Sequence, residues 1–218
     1  MFSLRLPAGP LRIVCLGAHP DDIEIGCGGT LLSLSEQRGI QAVVAIATGS
    51  GVRLAEATKA ASRFLPGAEV DVRVMGLRDG FLPMHWGAVK EGLEQIAGST
   101  TADIVFAPRH RDAHQDHRLI AELAPTVWRH ALILNYEIPK WDGDLGRVSH
   151  YVPLDAETAR RKVALLNECF PSQTDRDWWD DETFLAMMRL RGVESRSPYA
   201  EGFDVAKAVL ATDTGRER

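Results

Sequence analysis

Two patterns of apolar residues alternate along the chain. Short runs that are almost entirely apolar and rich in β-branched residues predict buried strands over residues 11–17, 40–49, 69–77, 102–108 and 131–138. Segments with apolar residues three and four positions apart predict helices over residues 29–39, 53–65, 86–97, 114–129, 155–169 and 182–191. Strands that alternate with helices in this way predict a mostly parallel sheet with helices on both faces.

The predicted fold is therefore a Rossmann-like three-layer α/β sandwich. The chain has 218 residues, of which 45% are hydrophobic, and this is enough for one domain with a substantial core. We expect residues 1–218 to form a single domain, with its core over about 11–173 and a helical C-terminal segment over about 174–210. Residues 149–153 are expected to add a strand, and the polar tail 212–218 to fray.

The charge balance and the cysteines narrow the classes of partner. A net charge of −5, from 25 basic and 30 acidic residues, gives no electrostatic reason for a nucleic-acid or anionic-membrane partner. Three widely spaced cysteines form neither a disulfide framework nor a CxxC pair, which favours a cytoplasmic location. The N-terminal residues lack a signal-peptide core and no apolar run approaches a membrane span, so we expect no membrane insertion. Homo-oligomerisation is left open.

The unusual polar residues of the chain follow the ends of the predicted strands. In a parallel sheet of this type, sites form beyond the carboxyl ends of the strands. The stretch AHPDD (residues 18–22) follows the first strand and presents His19, Asp21 and Asp22. The stretch RHRDAHQDHR (residues 109–118) follows the fourth strand and offers His110, Asp112, His114, Asp116 and His117. This coincidence predicts an enzyme.

These two clusters together predict a metal site. His19, Asp22 and one downstream histidine would supply three protein ligands and leave a fourth position open, as in catalytic zinc sites. Asp21 would then be free to act as a general base, and the spare histidine could donate a proton or stabilise an oxyanion. Two histidines and a carboxylate also suit Fe²⁺. The GCGG stretch (26–29) does not match GxGxxG spacing, so we interpret it as a close-packing segment rather than a nucleotide site.

The same motifs resemble the PIG-L/LmbE-like deacetylase family, which includes N-acetylglucosaminyl-phosphatidylinositol de-N-acetylases. The principal matches are AHPDD with GCGGTL behind it, and HQDHR at 114–118. Weaker matches are TGSGVRLAEA (48–57), GLRDGFL (76–82) and the SQ pair at 172–173. The resemblance implies zinc-dependent hydrolysis of an N-acetyl group on a glucosamine-type sugar conjugate, which would be the small-molecule partner.

The resemblance also implies roles for individual residues. His19, Asp22 and His117 would be the metal ligands, with Zn²⁺ as the expected ion and Fe²⁺ as an alternative. Asp21 would be the general base, His114 the acid or oxyanion stabiliser, and Asp116 the residue that orients His114. Arg53 and Asp79 match positions at which the family often contacts sugar hydroxyls. Some members place a tyrosine just before the HxDH motif, whereas this chain has Asp112 and Ala113 there.

One aromatic loop residue and two alternative functions remain to be considered. Trp141 follows the fifth predicted strand, where an aromatic ring can stack on a sugar face. An amidase that cuts a larger acyl or thiol-conjugate amide with the same zinc site is the first alternative function. A non-catalytic sugar- or nucleotide-binding module is the second, and the acidic and histidine residues of the two motifs argue against it. The group attached to the amino sugar is not predicted.

Overall fold

A computed structural model describes residues 3–210, in which seven strands form one sheet. The strands are β1 (Leu11–Gly17), β2 (Ile40–Thr48), β3 (Glu69–Leu77), β4 (Ile104–Pro108), β5 (Leu132–Tyr136), β6 (His150–Leu154) and β7 (Tyr199–Asp204). Their spatial order is β3-β2-β1-β4-β5-β7-β6. Neighbouring pairs from β3 to β5 are parallel, and β7 runs antiparallel to both β5 and β6. The mostly parallel sheet predicted from the sequence is confirmed.

Six helices cover the two faces of the sheet. They are α1 (Asp22–Gln37), α2 (Gly51–Phe64), α3 (Trp86–Ser99), α4 (Gln115–Val127), α5 (Ala156–Cys169) and α6 (Asp181–Ser195). Alternate residues of β1 point to opposite faces, so Ile13 packs with α1, α2, α5 and α6, whereas Val14 packs with α3 and α4. The two buried clusters explain why the central strands are apolar throughout, and they confirm the three-layer architecture.

Helix α1 begins at Asp22, well before the predicted start at residue 29. The glycine-rich stretch is part of this helix, and it packs too closely on its neighbours to carry side chains at these positions. A Cβ atom at Gly26 would lie 2.1 Å from a ring carbon of Tyr136, and one at Gly28 would lie 2.6 Å from the ring of Phe64. This agrees with the interpretation of GCGG as a close-packing segment. The helix is kinked at Cys27, whose φ of −140° is not helical.

A buried ion pair occupies the kink of α1. Lys162 Nζ donates to the carbonyl of Ile25 at 2.6 Å and lies 2.6 Å from Glu201 Oε1. The Glu201 carboxylate accepts hydrogen bonds from the backbone amides of Gly29 (2.8 Å) and Thr30 (2.7 Å). The pair thus supplies the backbone partners that the interrupted helix lacks, and both charged side chains are only 3% exposed.

Strand β7 was not predicted, and it lies within the segment expected to be helical. Its sequence YAEGFD lacks a continuous apolar run because buried Glu201 bonds α1, and because Gly202 lies against Val148 and Arg191. The predicted helix over 182–191 is confirmed within α6. The residues after this helix form β7, which ends at Asp204, instead of continuing as a helical segment. The tail 212–218 lies outside the described residues. Across residues 3–210, no helix has both the length and the apolar character that a membrane crossing requires.

Candidate metal centre

The loops after β1 and β4 bring together the three side chains predicted as metal ligands. His19 Nδ1 lies 3.1 Å from His117 Nε2 and 3.4 Å from Asp22 Oδ2. Asp22 Oδ1 lies 3.2 Å from His117 Nε2. Zinc bound at about 2.1 Å by tetrahedrally arranged ligands would place its donor atoms about 3.4 Å apart. The three donor groups therefore fit a zinc-sized cation.

Both imidazole rings contact carboxylates through their second nitrogen. His117 Nδ1 lies 2.9 Å from Asp112 Oδ2, and His19 Nε2 lies 3.0 Å from Asp79 Oδ1 and 3.4 Å from Asp116 Oδ2. Metal-binding histidines commonly donate their other ring N–H to such a carboxylate, which fixes the orientation of the ring. The role of Asp112 was missed because motif spacing does not tell which carboxylate meets which ring.

The local geometry of AHPDD separates the two adjacent aspartates. Asp22 Oδ2 accepts a hydrogen bond from the backbone N–H of His19 at 2.7 Å, which turns this side chain toward the histidines. Asp21 has φ at +149°, a conformation that is rare for a residue with a side chain and costs of order 1–3 kcal/mol. The backbone N–H and hydroxyl of Thr48 hold the loop from below by bonding the carbonyl of Ala18 at 3.0 and 2.7 Å.

Asp21 is buried beside the ligand group and is paired with Arg53. Arg53 Nη2 donates to Asp21 Oδ2 at 2.9 Å and to the carbonyl of Pro20 at 2.8 Å. Burial raises the pKa of Asp21 to about 7 against the opposing charge of Arg53, and neighbouring Asp22 adds to the rise. A carboxylate with this pKa is suited to accepting a proton near neutral pH.

The carboxylates around the two histidines give the centre a negative electrostatic potential. Burial alone would lower the pKa of His117, yet the adjacent Asp22 and Asp112 carboxylates raise it to about 9. Burial likewise opposes ionisation of Asp22, but the two histidines beside it hold its pKa well below the usual range. Surroundings that favour a proton on His117 also favour a cation between the same side chains.

His114 lies at the N-terminus of α4 with its ring against both other histidines. Its ring centroid is 4.7 Å from that of His19 and 4.7 Å from that of His117. Its Nδ1 accepts a hydrogen bond from the backbone N–H of Asp116 at 3.2 Å, so the neutral ring carries its proton on Nε2. Burial and the charges of its two histidine neighbours lower the pKa of His114. The donor atoms of the three histidines lie within 4.8 Å of one another, so His19, His114 and His117 form a second group that could hold a metal ion.

The Asp116 carboxylate does not hold the His114 ring, which corrects that sequence-based expectation. It is fully buried and accepts hydrogen bonds from the backbone amides of Gly80 (2.8 Å) and Leu82 (3.0 Å), in addition to facing His19. The Asp116 side chain thus ties the segment after β3 to the centre, and it is the backbone of Asp116 that bonds His114. The side chain turns away because α4 begins at Gln115, which directs successive side chains to different sides.

The three residues predicted to bind sugar occupy different surroundings. Arg53 is held against the loop after β1, and Asp79 is 73% exposed at the side of His19. Trp141 is exposed on the β5–β6 connection, where its Nε1 donates to Asp177 at 2.9 Å. The residue before it, Lys140, bonds Asp112 at 2.9 Å. All three therefore lie on segments that are bonded to the centre.

Comparison with known proteins decides the family. Residues 14–128, just over half of the chain, match the family model described as PIG-L, GlcNAc-PI de-N-acetylase. The chain belongs to the PIG-L family. The PIG-L match includes both loops that form the ligand group, and it ends before the loop that carries Trp141.

Individual relatives extend this result. Uncharacterized deacetylase YaiS of Escherichia coli (strain K12) is 28% identical over an alignment of 138 residues that covers 58% of this chain and 74% of YaiS. N,N'-diacetylchitobiose deacetylase from Pyrococcus horikoshii has a TM-score of 0.69 at 21% identity, over 89% of this chain and 83% of that one. GalB, the 4-carboxy-2-hydroxymuconate hydratase from Pseudomonas putida KT2440, has a TM-score of 0.73 at 17% identity, over 94% of this chain and 100% of that one. A fold shared by a deacetylase and a hydratase does not determine the reaction.

Membership of the PIG-L family, together with the similarity to YaiS, makes this protein a hydrolytic, amide-cleaving enzyme. The resemblance to the PIG-L/LmbE-like deacetylase family is confirmed. The match ends before β5, β6, β7, α5 and α6. The three strands among these elements form one lateral side of the sheet, next to β4.

Proposed function

We propose that the protein is a metal-dependent N-deacetylase that hydrolyses the N-acetyl group of an N-acetylglucosamine-type sugar conjugate. The observation that carries this proposal is the group of His19, Asp22 and His117 donor atoms, 3.1–3.4 Å apart, with Asp21 next to it in the chain. Two comparisons support the substrate class. The family is described as a GlcNAc-PI de-N-acetylase, and the structurally similar Pyrococcus horikoshii enzyme is a deacetylase of N,N'-diacetylchitobiose, an N-acetylated sugar.

His19, Asp22 and His117 would hold the ion. Zinc in a site with three protein ligands lowers the pKa of a water molecule to about 7 and polarises carbonyl groups. Two histidines and one carboxylate also suit Fe²⁺, so the proposal commits to the ligands and names zinc as the first ion to test.

Asp21 is the general base of the proposed reaction. Its carboxylate takes a proton from the attacking water, whose oxygen forms a bond to the acetamide carbon. The buried position and raised pKa of Asp21 support this role, and its pairing with Arg53 fixes the direction of the carboxylate. General-base catalysis of this kind contributes about 10²–10⁴-fold to a rate.

His114 is the hydrogen-bond donor that stabilises the oxyanion in the proposed reaction. With Nδ1 occupied by the Asp116 amide, the neutral ring presents its Nε2–H as a donor to the developing oxyanion. As the carbon–nitrogen bond breaks, the leaving nitrogen takes up the proton that Asp21 accepted from the water and departs as a free amine. The products are acetate and an amino sugar, and the atoms balance with one water consumed.

A panel of amides tests this proposal. Metal-free protein is loaded with Zn²⁺ or Fe²⁺, and acetate and amine release are measured with methyl N-acetylglucosaminide. The same sugar with a bulky N-acyl group tests the alternative of an amidase for larger amides. We expect acetate release with the loaded protein and little release of the bulkier acid. A metal-loaded protein that binds the sugar but releases no amine would instead establish a binding module.

The location and assembly of the protein stay predictions. The cytoplasmic location rests on the sequence features given above, and the structure describes a single chain. The proposed partner is a small N-acetylated sugar conjugate, without nucleic acid.

A further inference from the structure

Exposed large apolar side chains concentrate in the segments beyond the carboxyl ends of the strands, where the candidate metal centre lies. Within residues 3–210, eleven large hydrophobic residues are exposed, and six of these lie in the segments that follow β2, β3 and β5. These six are Val52, Phe81, Met84, Trp86, Trp141 and Leu145. Single exposed apolar residues are ordinary, but several around one site indicate a binding surface.

Phe81 is held next to the centre by its two chain neighbours. The backbone amides of Gly80 and Leu82 both donate to the buried carboxylate of Asp116, which lies 3.4 Å from His19 Nε2. The Phe81 side chain lies between these two anchored residues and is 41% exposed. The chain therefore holds an exposed apolar ring between two residues whose backbone is bonded to the centre.

Val52 and Trp141 are adjacent to anchored residues in the same way. Val52 precedes Arg53, whose guanidinium bonds the loop after β1. Trp141 follows Lys140, whose Nζ bonds Asp112 behind the His117 ring. Three different segments, namely the first turn of α2 and the connections after β3 and β5, thus each place one apolar residue next in the chain to a residue bonded to the centre. We call Val52, Phe81 and Trp141 the apolar rim.

The two aromatic rings of the apolar rim are held in place although solvent reaches them. The guanidinium carbon of Arg78 lies 3.8 Å from the centroid of the Phe81 ring. Trp141 is fixed by the hydrogen bond from Nε1 to Asp177, and its ring meets that of Trp178 edge-on at 5.8 Å. Rings that are already ordered lose little conformational entropy when they bind a ligand, which favours recognition over chance exposure.

We infer that the apolar rim binds an apolar aglycone attached to the amino sugar. The inference rests on the proposed deacetylase function, in which the acetamide occupies the buried centre. Solvent reaches the side of the centre at Asp79, whose side chain is 73% exposed although its Oδ1 lies 3.0 Å from His19 Nε2, and Phe81 follows two residues later in the chain. The part of the substrate that leaves the centre on this side is the sugar and its aglycone, whereas the acetyl methyl stays inside.

Chain length at the two ends of the substrate tests the inference. The zinc-loaded protein is assayed with methyl N-acetyl-β-glucosaminide, hexyl N-acetyl-β-glucosaminide and methyl N-hexanoyl-β-glucosaminide. Burial of two methylene groups corresponds to roughly a tenfold change in affinity. We therefore expect kcat/KM to be about tenfold higher for the hexyl than for the methyl glycoside. Equal values, or a gain for the N-hexanoyl compound instead, would overturn the inference.

The double variant Val52→Ser/Phe81→Ser locates the effect. We expect its hexyl-to-methyl ratio of kcat/KM to fall to near one. Leu190→Ser, which changes an exposed apolar residue of α6, is the matched control and should keep the wild-type ratio. An unchanged ratio in the double variant would place the apolar contact elsewhere and refute the role of the rim.

A binding measurement separates failure of this inference from failure of the proposed function. Hexyl β-glucoside, which has no acetamide, should bind the wild-type protein about tenfold more tightly than the double variant by calorimetry. Such binding without turnover of any amide would refute the deacetylase and keep the rim. Turnover without chain-length preference would refute the rim alone.

A vesicle assay tests a different occupant of the rim. Co-sedimentation of the wild-type protein, but not of the double variant, with phosphatidylcholine vesicles would assign the rim to a membrane surface and overturn the inference that it binds an aglycone.

Discussion

Asp112 Oδ2 lies 2.9 Å from Nδ1 of His117, while the Nε2 atom of the same ring lies 3.2 Å from Asp22 Oδ1. One carboxylate therefore orients the imidazole ring and another shares its proposed metal position. Asp112 also accepts hydrogen bonds from the backbone of His114 and from Lys140, so a single buried carboxylate connects the β4–α4 loop with the β5–β6 connection.

Asp112→Asn should weaken metal binding by about 10–100-fold, because the His117 ring loses a charged partner that orients it. Zinc affinity is measured by competition with a chromophoric chelator. Asp103→Asn, which alters an exposed carboxylate paired with Arg12, is the control and should keep the wild-type affinity. Unchanged affinity in Asp112→Asn would show that the 2.9 Å contact has no effect on the metal.

The adjacent aspartates should respond differently to the same substitution. Asp22→Asn should lose metal on dialysis, because it removes a charged ligand. Asp21→Asn should keep the metal and lose about 10²–10⁴-fold in kcat, because it removes the proposed base. Metal content is measured by elemental analysis, and turnover by amine release. Near wild-type kcat in Asp21→Asn would refute the base assignment.

Alanine substitutions at the two histidines of the HxxH pair should also have different effects on metal content and turnover. His117→Ala should lose the metal, whereas His114→Ala should retain it and lose about 10²–10³-fold in kcat through loss of the oxyanion donor. The residues alone leave either histidine as the ligand, and this pair of variants decides between them. Metal loss in His114→Ala with full occupancy in His117→Ala would reverse the assignment.

Removal of one partner of the buried Lys162–Glu201 pair should destabilise the protein by about 3–5 kcal/mol, because the remaining charge is left in the core. Lys162→Met is compared with Arg161→Met, which alters the neighbouring exposed ion pair with Glu36 and should cost about 1 kcal/mol or less. The free energy of unfolding is measured in urea. Equal losses in the two variants would contradict the role given to the buried pair.

Gly26→Ala should destabilise the protein by at least about 1–3 kcal/mol, because the new methyl group would overlap the Tyr136 ring. Gly98→Ala in α3 is the matched control, since its new methyl group would meet no atom within 4 Å apart from the helix itself and its chain neighbours. That control should be neutral or stabilising by up to about 1 kcal/mol. Thermal unfolding of both variants measures the difference.

The sequence by itself determined six of the seven strands in the described residues, the three-layer arrangement and the edge at which the candidate site forms. Apolar runs such as 11–17 carry a local signal, because a strand buried on both faces needs apolar side chains throughout. The positions of His19 and His117 at the same edge then follow from the parallel direction of β1 and β4.

Only the tertiary structure decided which atoms meet. The Asp116 carboxylate bonds the segment after β3 rather than the His114 ring, and Asp112, to which the motifs gave no role, lies against the His117 ring. Strand β7 likewise depends on Glu201, which is polar in sequence but satisfied by Lys162 and the kinked α1. Such contacts join residues far apart in the chain, so side-chain direction and strand register determine them, and neither is visible in a local pattern.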